Sequence, residues 1–286
     1  MKIQDFFDKE TATFSYILID EETKNCAIID SVLSYDISSA RTSIKAADEL
    51  IKYVKDNNLN LEWILETHAH ADHLTASHYI REKIGGKIAI GEKITEVIKF
   101  WAPIFNISES TPIDGSQFDY LFKDGEKFRI GNLEISVMHT PGHTPACVSY
   151  LVEDCAFVGD TIFIPRLGTA RTDFPGGSAA TLYNSIQKLL ALPDNTKLYV
   201  GHDYPDESKG EKLRCFCSVS EQKKENILVN EKITKEEYVA LRNKRDEGKA
   251  VPKLLLPSIQ VNIRAGEFLE EENNGISYIK FPLNKI

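Results

Sequence analysis

The chain reads LEWILETHAHADHL from Leu61 to Leu74, so a short apolar run leads directly into a loop with three histidines and an aspartate. The run at residues 61–65 is bounded by polar residues, which predicts a buried strand. Alternate residues of an extended loop point the same way, so His68 and His70 can address one metal position together. Asp72 and His73 stand where the chain turns into a helix, and they can face an adjacent position.

Three later loops repeat this arrangement of a strand that ends in a ligand-type residue. His143 lies in the Gly/Pro loop at residues 140–145, Asp160 follows a short strand, and His202 follows the strand predicted at residues 197–200. Five of the seven histidines therefore stand on strand-end loops. Imidazole and carboxylate ligands without cysteine favour zinc or iron. The sequence predicts a metal site in a crevice at the ends of the strands.

The remaining pattern predicts a mixed α/β protein. Strands are expected at residues 13–19, 26–29, 61–65, 87–90, 148–152, 156–158 and 197–200, with three more between 119 and 139. Helices are expected from Ser43 to Asn57, after the histidine loop to Lys83, and at residues 92–100 and 181–192. The sequence becomes rich in Lys and Glu after residue 210, which suggests exposed helices. We therefore predict a catalytic domain at residues 1–208 and a C-terminal extension, residues 209–286, packed on it.

Composition excludes several classes of partner. The chain has 286 residues, a net charge of −9 and a pI near 5.4, which argues against a nucleic-acid-binding surface. The first residues carry no export-type signal, and no apolar run is long enough to span a membrane. Five sparse cysteines suit a reducing compartment, so we predict a cytoplasmic protein.

A family resemblance rests on five further groups of residues besides residues 67–74. They are Thr140-Pro141-Gly142-His143-Thr144-Pro145, Gly159-Asp160-Thr161, Ala170-Arg171-Thr172-Asp173-Phe174, His202-Asp203-Tyr204 and Asn262-Ile263-Arg264-Ala265-Gly266. With these motifs the chain resembles the metallo-β-lactamase superfamily, and within it persulfide dioxygenases and their beta-lactamase-like hydrolase relatives. The resemblance implies a four-layer αβ/βα sandwich, here with a short C-terminal extension, and a homodimer. Asp30-Ser31 departs from the Asp-Pro common in the family.

The resemblance implies one of two reactions. Persulfide dioxygenases use one Fe(II) per chain, here held by His68, His143 and Asp160, to oxidise a glutathione-type persulfide with O₂ to sulfite. The alternative is a glyoxalase II-type thioester hydrolase (hydroxyacylglutathione hydrolase) with two zinc ions. In the dioxygenase, the remaining ligand-type residues form a vacant second site or hydrogen-bond partners: His70, Asp72, His73 and His202. The motifs at Arg171, His202 and Asn262 favour the dioxygenase. A third hypothesis, a binding protein without activity, is disfavoured by the intact ligand set.

Other residues of the motifs receive roles by the same resemblance. Asp72 and Tyr204 are assigned to catalysis. For Tyr204 the alternatives are a hydrogen bond to an iron-bound species and a buried structural tyrosine. Arg171 and Arg264 are assigned to a substrate carboxylate, the alternative being a structural ion pair such as Arg171 with Asp173.

The cysteines leave further questions open. Cys147, beside the His143 loop, is either redox-sensitive or a packing residue. Cys215 and Cys217 form a weak metal signal. No sulfur-transfer cysteine loop is found, so sulfur transfer would require a separate sulfurtransferase as partner.

Overall fold

The computed structural model describes residues 1–285, which contain fifteen strands and seven α-helices. The strands are β1 (Lys2–Asp8), β2 (Thr13–Ile19), β3 (Asn25–Ile29), β4 (Val32–Asp36), β5 (Arg41–Ser43), β6 (Asn60–Leu65), β7 (Leu74–Thr75), β8 (Lys87–Gly91), β9 (Tyr120–Phe122), β10 (Lys127–Ile130), β11 (Leu133–His139), β12 (Val148–Val152), β13 (Cys155–Gly159), β14 (Lys197–Val200) and β15 (Phe216–Ser218). The helices are α1 (Lys45–Asp56), α2 (Ser77–Ile84), α3 (Ile94–Phe105), α4 (Ala179–Leu190), α5 (Val219–Glu225), α6 (Lys235–Asp246) and α7 (Leu255–Asn262). No helix in residues 1–285 has both the length and the apolar character to cross a bilayer.

The strands form two six-stranded sheets and one small sheet. The first sheet has the order β1-β2-β3-β6-β8-β9, with β3, β6, β8 and β9 parallel. The second has the order β10-β11-β12-β13-β14-β15, and its one parallel pair is β13 with β14. The small sheet has the order β5-β4-β7. The parallel pairs matter for the site because their carboxyl ends meet at one edge.

The burial of strand β2 explains why the sheets stack. All seven of its residues are buried, as expected for a strand covered on both faces. Phe14, Tyr16 and Leu18 pack between the two sheets, whereas Ile17 and Ile19 pack against the helices outside the first sheet. A third core lies between the second sheet and helices that include α4. Helices therefore flank two stacked sheets, and the expected four-layer α/β sandwich is confirmed.

Several element boundaries differ from the sequence predictions for physical reasons. Ser43 pairs with Ser34 in β5, so α1 begins two residues later than expected. Helix α3 continues through Pro103 to Phe105 because Trp101, Ala102 and Phe105 extend its buried face. Strands β1, β4, β5, β7 and β15 and helix α7 were not predicted, since short edge strands and a Pro-containing helix carry little periodicity.

The segment after residue 208 joins both sides of the sandwich. Strand β15 pairs with β14, where Leu198 faces Cys217, and becomes the edge of the second sheet. Helix α6 contacts α4, and α7 contacts β7 and α3. The division into two units at residue 208 stays a prediction.

The buried hydroxyl of Tyr16 is one of the hydrogen-bonding groups that link the two sheets. The Tyr16 hydroxyl lies 2.6 Å from the carbonyl oxygen of Val200 and 3.0 Å from that of Cys215. Substituting Tyr16→Phe leaves these carbonyls without that donor, which we expect to lower the free energy of unfolding by about 1–3 kcal/mol in urea denaturation. Tyr183→Phe is the control, because its hydroxyl makes one longer bond of 3.3 Å to Ile233. Equal losses in the two variants would contradict the assigned role of Tyr16.

Candidate functional site

The strand-end loops converge on one buried cluster. Asp160 follows β13 and His202 follows the parallel strand β14, which sets them side by side. Asp160 Oδ2 lies 4.0 Å from His68 Nε2 and 3.8 Å from His143 Nε2, while Oδ1 lies 3.5 Å from His202 Nε2. Asp72 Oδ2 lies 3.1 Å from the same His202 nitrogen. The structure therefore brings together residues that sequence analysis placed on separate loops.

The described residues contain three sets of potential ligand atoms, and the atoms of each set lie within 4.8 Å of one another; one of the sets is Asp30, Glu66 and His70. The first ligand group is His68, His143 and Asp160, and the second ligand group is His70, Asp72 and His73. His202 stands between them, within reach of Asp72 and Asp160. The geometry offers one position for an ion beside the first group and an adjacent position beside the second.

The donor atoms themselves indicate a cation. Several buried atoms of the cluster have no hydrogen-bond partner within residues 1–285: His68 Nε2, His70 Nδ1, both His73 ring nitrogens and Asp160 Oδ1. Leaving a buried polar atom unpaired costs about 1–3 kcal/mol, so such a concentration at one place calls for a ligand. Nitrogen and oxygen donors without sulfur fit zinc or iron. The residues present therefore fit a metal cofactor.

Hydrogen bonds to the opposite ring nitrogens orient three of these histidines. His143 Nδ1 donates to the Arg171 carbonyl at 2.8 Å, and His202 Nδ1 donates to the Ala12 carbonyl at 3.0 Å. Thr67 Oγ1 donates to Asp30 and therefore accepts from His68 Nδ1 at 3.0 Å. His68 and His143 are thereby left with Nε2 facing the cluster, which is how ligating histidines are commonly fixed, whereas His202 Nε2 lies against the carboxylates of Asp72 and Asp160.

Asp30 is a functional residue that sequence analysis did not assign. Its Oδ1 accepts from the Thr67 backbone N–H at 2.7 Å and from His70 Nε2 at 3.1 Å, and its Oδ2 accepts from Thr67 Oγ1 at 2.8 Å. Glu66 Oε2 is a second acceptor for His70, at 3.2 Å. These contacts leave His70 Nδ1 free to face the cluster. The sequence did carry one signal for Asp30, because it is an acidic residue directly after the strand predicted at residues 26–29.

Asn262 is a second residue that holds the histidine loop and to which the sequence assigned no role. Its Nδ2 donates to the carbonyls of His70 at 2.8 Å and His73 at 2.9 Å, and its Oδ1 accepts from Thr75 N–H at 2.8 Å. The last residue of α7 thus holds the histidine loop by its backbone on both sides of Asp72. Asn262 belongs to the motif at residues 262–266, but its residue type and spacing indicated no role for it.

The surroundings lower the pKa of His68 and raise the pKa of His70 and His202. Burial, His70 and His143 lower the pKa of His68 well below its usual value, so its imidazole is neutral and ready to bind a cation. For His70 and His202 burial also acts to lower the pKa, but neighbouring carboxylates outweigh it. Asp30 and Glu66 raise the pKa of His70, and Asp160 and Asp72 raise that of His202 to about 9.

A pocket of about 300 Å³ opens onto the cluster. The polar wall of the pocket is formed by Asp72, His143, Asp160 and His202. Its other lining residues are Ala71, Phe163, Thr169, Ala170, Arg171, Phe174, Tyr204, Lys249 and Pro252.

The Tyr204 ring stacks on His202 with centroids 5.8 Å apart, yet 54% of the residue is exposed, so it is not a buried structural tyrosine. Partial loss of solvent around the hydroxyl and the carboxylate of Asp72 raise the pKa of its phenol, which keeps the proton on the hydroxyl although the rest of the ring is exposed.

The two arginines assigned to substrate occupy different places. Arg171 lines the pocket, but its Nε and Nη2 each lie 2.6 Å from a carboxylate oxygen of Asp173, as in the ion-pair alternative. Arg264 is not among the lining residues. Its buried guanidinium contacts Ser110, Thr111 and the carbonyl of Phe268. The structure therefore does not bring Arg264 to the site.

The cysteines near the motifs behave as packing residues. Cys147 Sγ accepts from the Thr144 N–H at 3.4 Å, and burial raises the pKa of its thiol to about 12. Cys217 is buried in the core between the second sheet and its helices. Burial raises its pKa to about 12 and that of Cys215 to about 11. A protonated, enclosed thiol is a poor nucleophile and a poor metal ligand.

The raised pKa of His202 predicts an alkaline loss of stability in metal-free protein. A group whose pKa is higher in the folded state stabilises the fold fully below its unfolded pKa, and this contribution is lost as pH rises through the folded pKa. We expect the free energy of unfolding in urea to fall between pH 6.5 and about 9, and His202→Gln to flatten part of that fall. The same fall in wild type and variant would contradict the charged state of His202.

The Asn262 contacts predict an effect on metal affinity. Asn262→Leu removes both donors and the acceptor at similar volume, so we expect zinc binding to weaken by about 10–100-fold in competition with a chromophoric chelator. Gln260→Leu is the matched control: it lies on the same helix, but its side chain contacts Leu256 and Lys280. It should keep the wild-type affinity. Equal weakening in both variants would show that α7 acts only through general stability.

Comparison with known proteins agrees with this geometry. Residues 9–202 match the model of the Metallo-beta-lactamase superfamily. "Glyoxylase B2" of Dictyostelium discoideum is 53% identical over 99% of this chain and 97% of that protein. "Persulfide dioxygenase ETHE1, mitochondrial" of Bos taurus is 31% identical over 71% of this chain and 68% of that protein.

A solved structure extends the comparison to three dimensions. The crystal structure of ETHE1 from Myxococcus xanthus covers 93% of this chain and 100% of its own, with a TM-score of 0.75 and 30% identity. Sequence match, fold and ligand geometry point the same way. The chain belongs to the metallo-β-lactamase superfamily.

Proposed function

We propose that this protein is a mononuclear iron dioxygenase that oxidises a glutathione-type persulfide with O₂. The observation that carries the proposal is the first ligand group, in which two imidazoles and one carboxylate converge beside an open pocket. A facial set of two histidines and one carboxylate is typical of non-haem Fe(II) oxygenases. Similarity to proteins named persulfide dioxygenase and ETHE1 supports the same reading.

The overall reaction balances as RSSH + O₂ + H₂O → RSH + SO₃²⁻ + 2H⁺. His68, His143 and Asp160 would hold one ferrous ion, which when bound would supply the redox chemistry between the outer sulfur of the persulfide and O₂. The protein must leave one side of the ion open and orient the persulfide toward it. Phe163 and Phe174 line the pocket beside these ligands and limit access of water to the sulfur.

Two further residues are given proton roles. Tyr204 presents a protonated phenol to the pocket and is proposed to donate a hydrogen bond to the reacting group. Asp72 keeps His202 charged through their 3.1 Å contact, so His202 holds a proton next to Asp160. In this proposal Asp72 acts as a hydrogen-bond partner of His202, and no second metal is bound by His70 and His73.

A dinuclear zinc thioester hydrolase is the second candidate. It is favoured by the free donor atoms of the second ligand group and by the 53% identity to a protein named Glyoxylase B2. In that reaction both ligand groups would bind zinc, and a thioester would be cleaved without O₂.

Matched ligand substitutions distinguish the two candidates. Protein purified without oxygen is analysed for metal, then assayed with glutathione persulfide on an oxygen electrode and for sulfite. We expect one iron per chain, O₂ uptake with sulfite, loss of both iron and uptake in His143→Ala, and retention of iron in His73→Ala. Circular dichroism verifies that both variants fold. Two zinc ions, no O₂ uptake and equal metal loss in both variants would overturn the proposal.

The setting of the enzyme is also part of the proposal. All five cysteines are free in the structure, which suits a cytoplasmic enzyme. We propose that it acts as a homodimer and receives persulfide formed by a separate sulfurtransferase.

A further inference from the structure

Two cationic side chains, Arg171 and Lys249, line the pocket over the candidate metal site. The Arg171 guanidinium is already engaged: two of its nitrogens contact Asp173 at 2.6 Å, and Nη1 donates to the Ala250 carbonyl at 2.8 Å. A substrate anion would have to compete with this two-point ion pair. Arg171 is therefore poorly placed to serve as the free anion-binding group of the pocket.

Lys249 is in a different position. Its nearest acidic partner is Asp246, with 3.5 Å between Nζ and Oδ1, and 44% of its side chain is exposed. That carboxylate is already satisfied, because Asp246 accepts from Arg242 on both oxygens and from the Thr172 N–H at 2.9 Å. Lys249 therefore keeps donors available to a group inside the pocket.

The charges around Lys249 favour an anion at this place. Burial lowers the pKa of Lys249, and the guanidiniums of Arg242 and Arg171 lower it further. Asp173 and Asp246 face the same region, but each is engaged by its own arginine. A bound carboxylate would relieve the repulsion among the three cations. The chain has a net charge of −9, so a local cation also offsets the general repulsion of an acidic substrate.

We propose that Lys249 binds a carboxylate of the thiol carrier and so selects carboxylate-bearing carriers over neutral or cationic ones. The inference rests on the proposed function only in taking the pocket ligand to be a low-molecular-weight thiol derivative. Lys249 lines the same pocket as His143 and Asp160, so a carrier that spans the pocket can place its sulfur near the first ligand group and its carboxylate at Lys249.

Binding is tested without turnover, using S-methylglutathione as an unreactive probe in isothermal titration calorimetry with metal-free protein. Lys249→Met should weaken binding by about tenfold, the loss of one hydrogen bond to a charged group, and Lys249→Arg should restore most of it. Lys244→Met is the matched control, since Lys244 lies on α6 and is exposed outside the pocket. S-methylcysteamine, which lacks a carboxylate, should not distinguish wild type from Lys249→Met.

Turnover supplies the second readout. With glutathione persulfide, Lys249→Met should raise KM and leave kcat nearly unchanged, and added salt should raise the wild-type KM more than that of the variant. Unchanged probe binding in Lys249→Met, or no binding by the wild type, overturns this inference whatever the activity. Lysine-dependent binding together with no O₂ uptake supports the inference and overturns only the proposed dioxygenase reaction.

Discussion

The carboxylate of Asp30 is the acceptor on which the histidine loop depends. It is buried at the end of β3, and its backbone has a φ of 52°, a left-handed conformation that Asp tolerates better than most residues. From this position it receives the Thr67 N–H, the Thr67 hydroxyl and His70 Nε2. A buried carboxylate needs hydrogen-bond donors, and here they are Thr67, which also orients His68, and His70. One buried carboxylate thus couples the first sheet to the ligand geometry.

Residues in the second half of the chain also hold the pocket wall and the histidine loop in position. Arg242 and Asp246 form a buried ion pair on α6 that holds the pocket wall, because Arg242 donates to the Thr169 carbonyl and Asp246 accepts from the Thr172 N–H. Asn262 on α7 holds the histidine loop from the other side. The side chains of Arg242, Asp246 and Asn262 hold backbone atoms and do not contact the ligand atoms of either group. They set the positions of the backbone segments from which ligands and pocket residues project.

Sequence reasoning predicted the ligands but not what holds them. His68, His143 and His202 could be predicted because histidine is rare in this chain and each follows a strand, and Asp160 could be predicted because it directly follows a short strand. Asn262 could not be assigned, because a side chain that hydrogen-bonds backbone carbonyls leaves no spacing pattern. Whether Arg171 would pair with Asp173 or stay free depended on rotamers that a motif does not encode. Helix α3 passed through Pro103 because tertiary burial outweighed a local helix-breaking signal.

The contacts of Asn262 join residues separated by 187 to 192 positions along the chain. Contacts of such span form late, because closing a long loop has an entropic cost that only the assembled fold offsets. A nascent or partly folded chain would thus carry its histidines before it has their final arrangement. The backbone of the histidine loop is therefore held by Asn262 only once α7, near the end of the chain, has packed beside it.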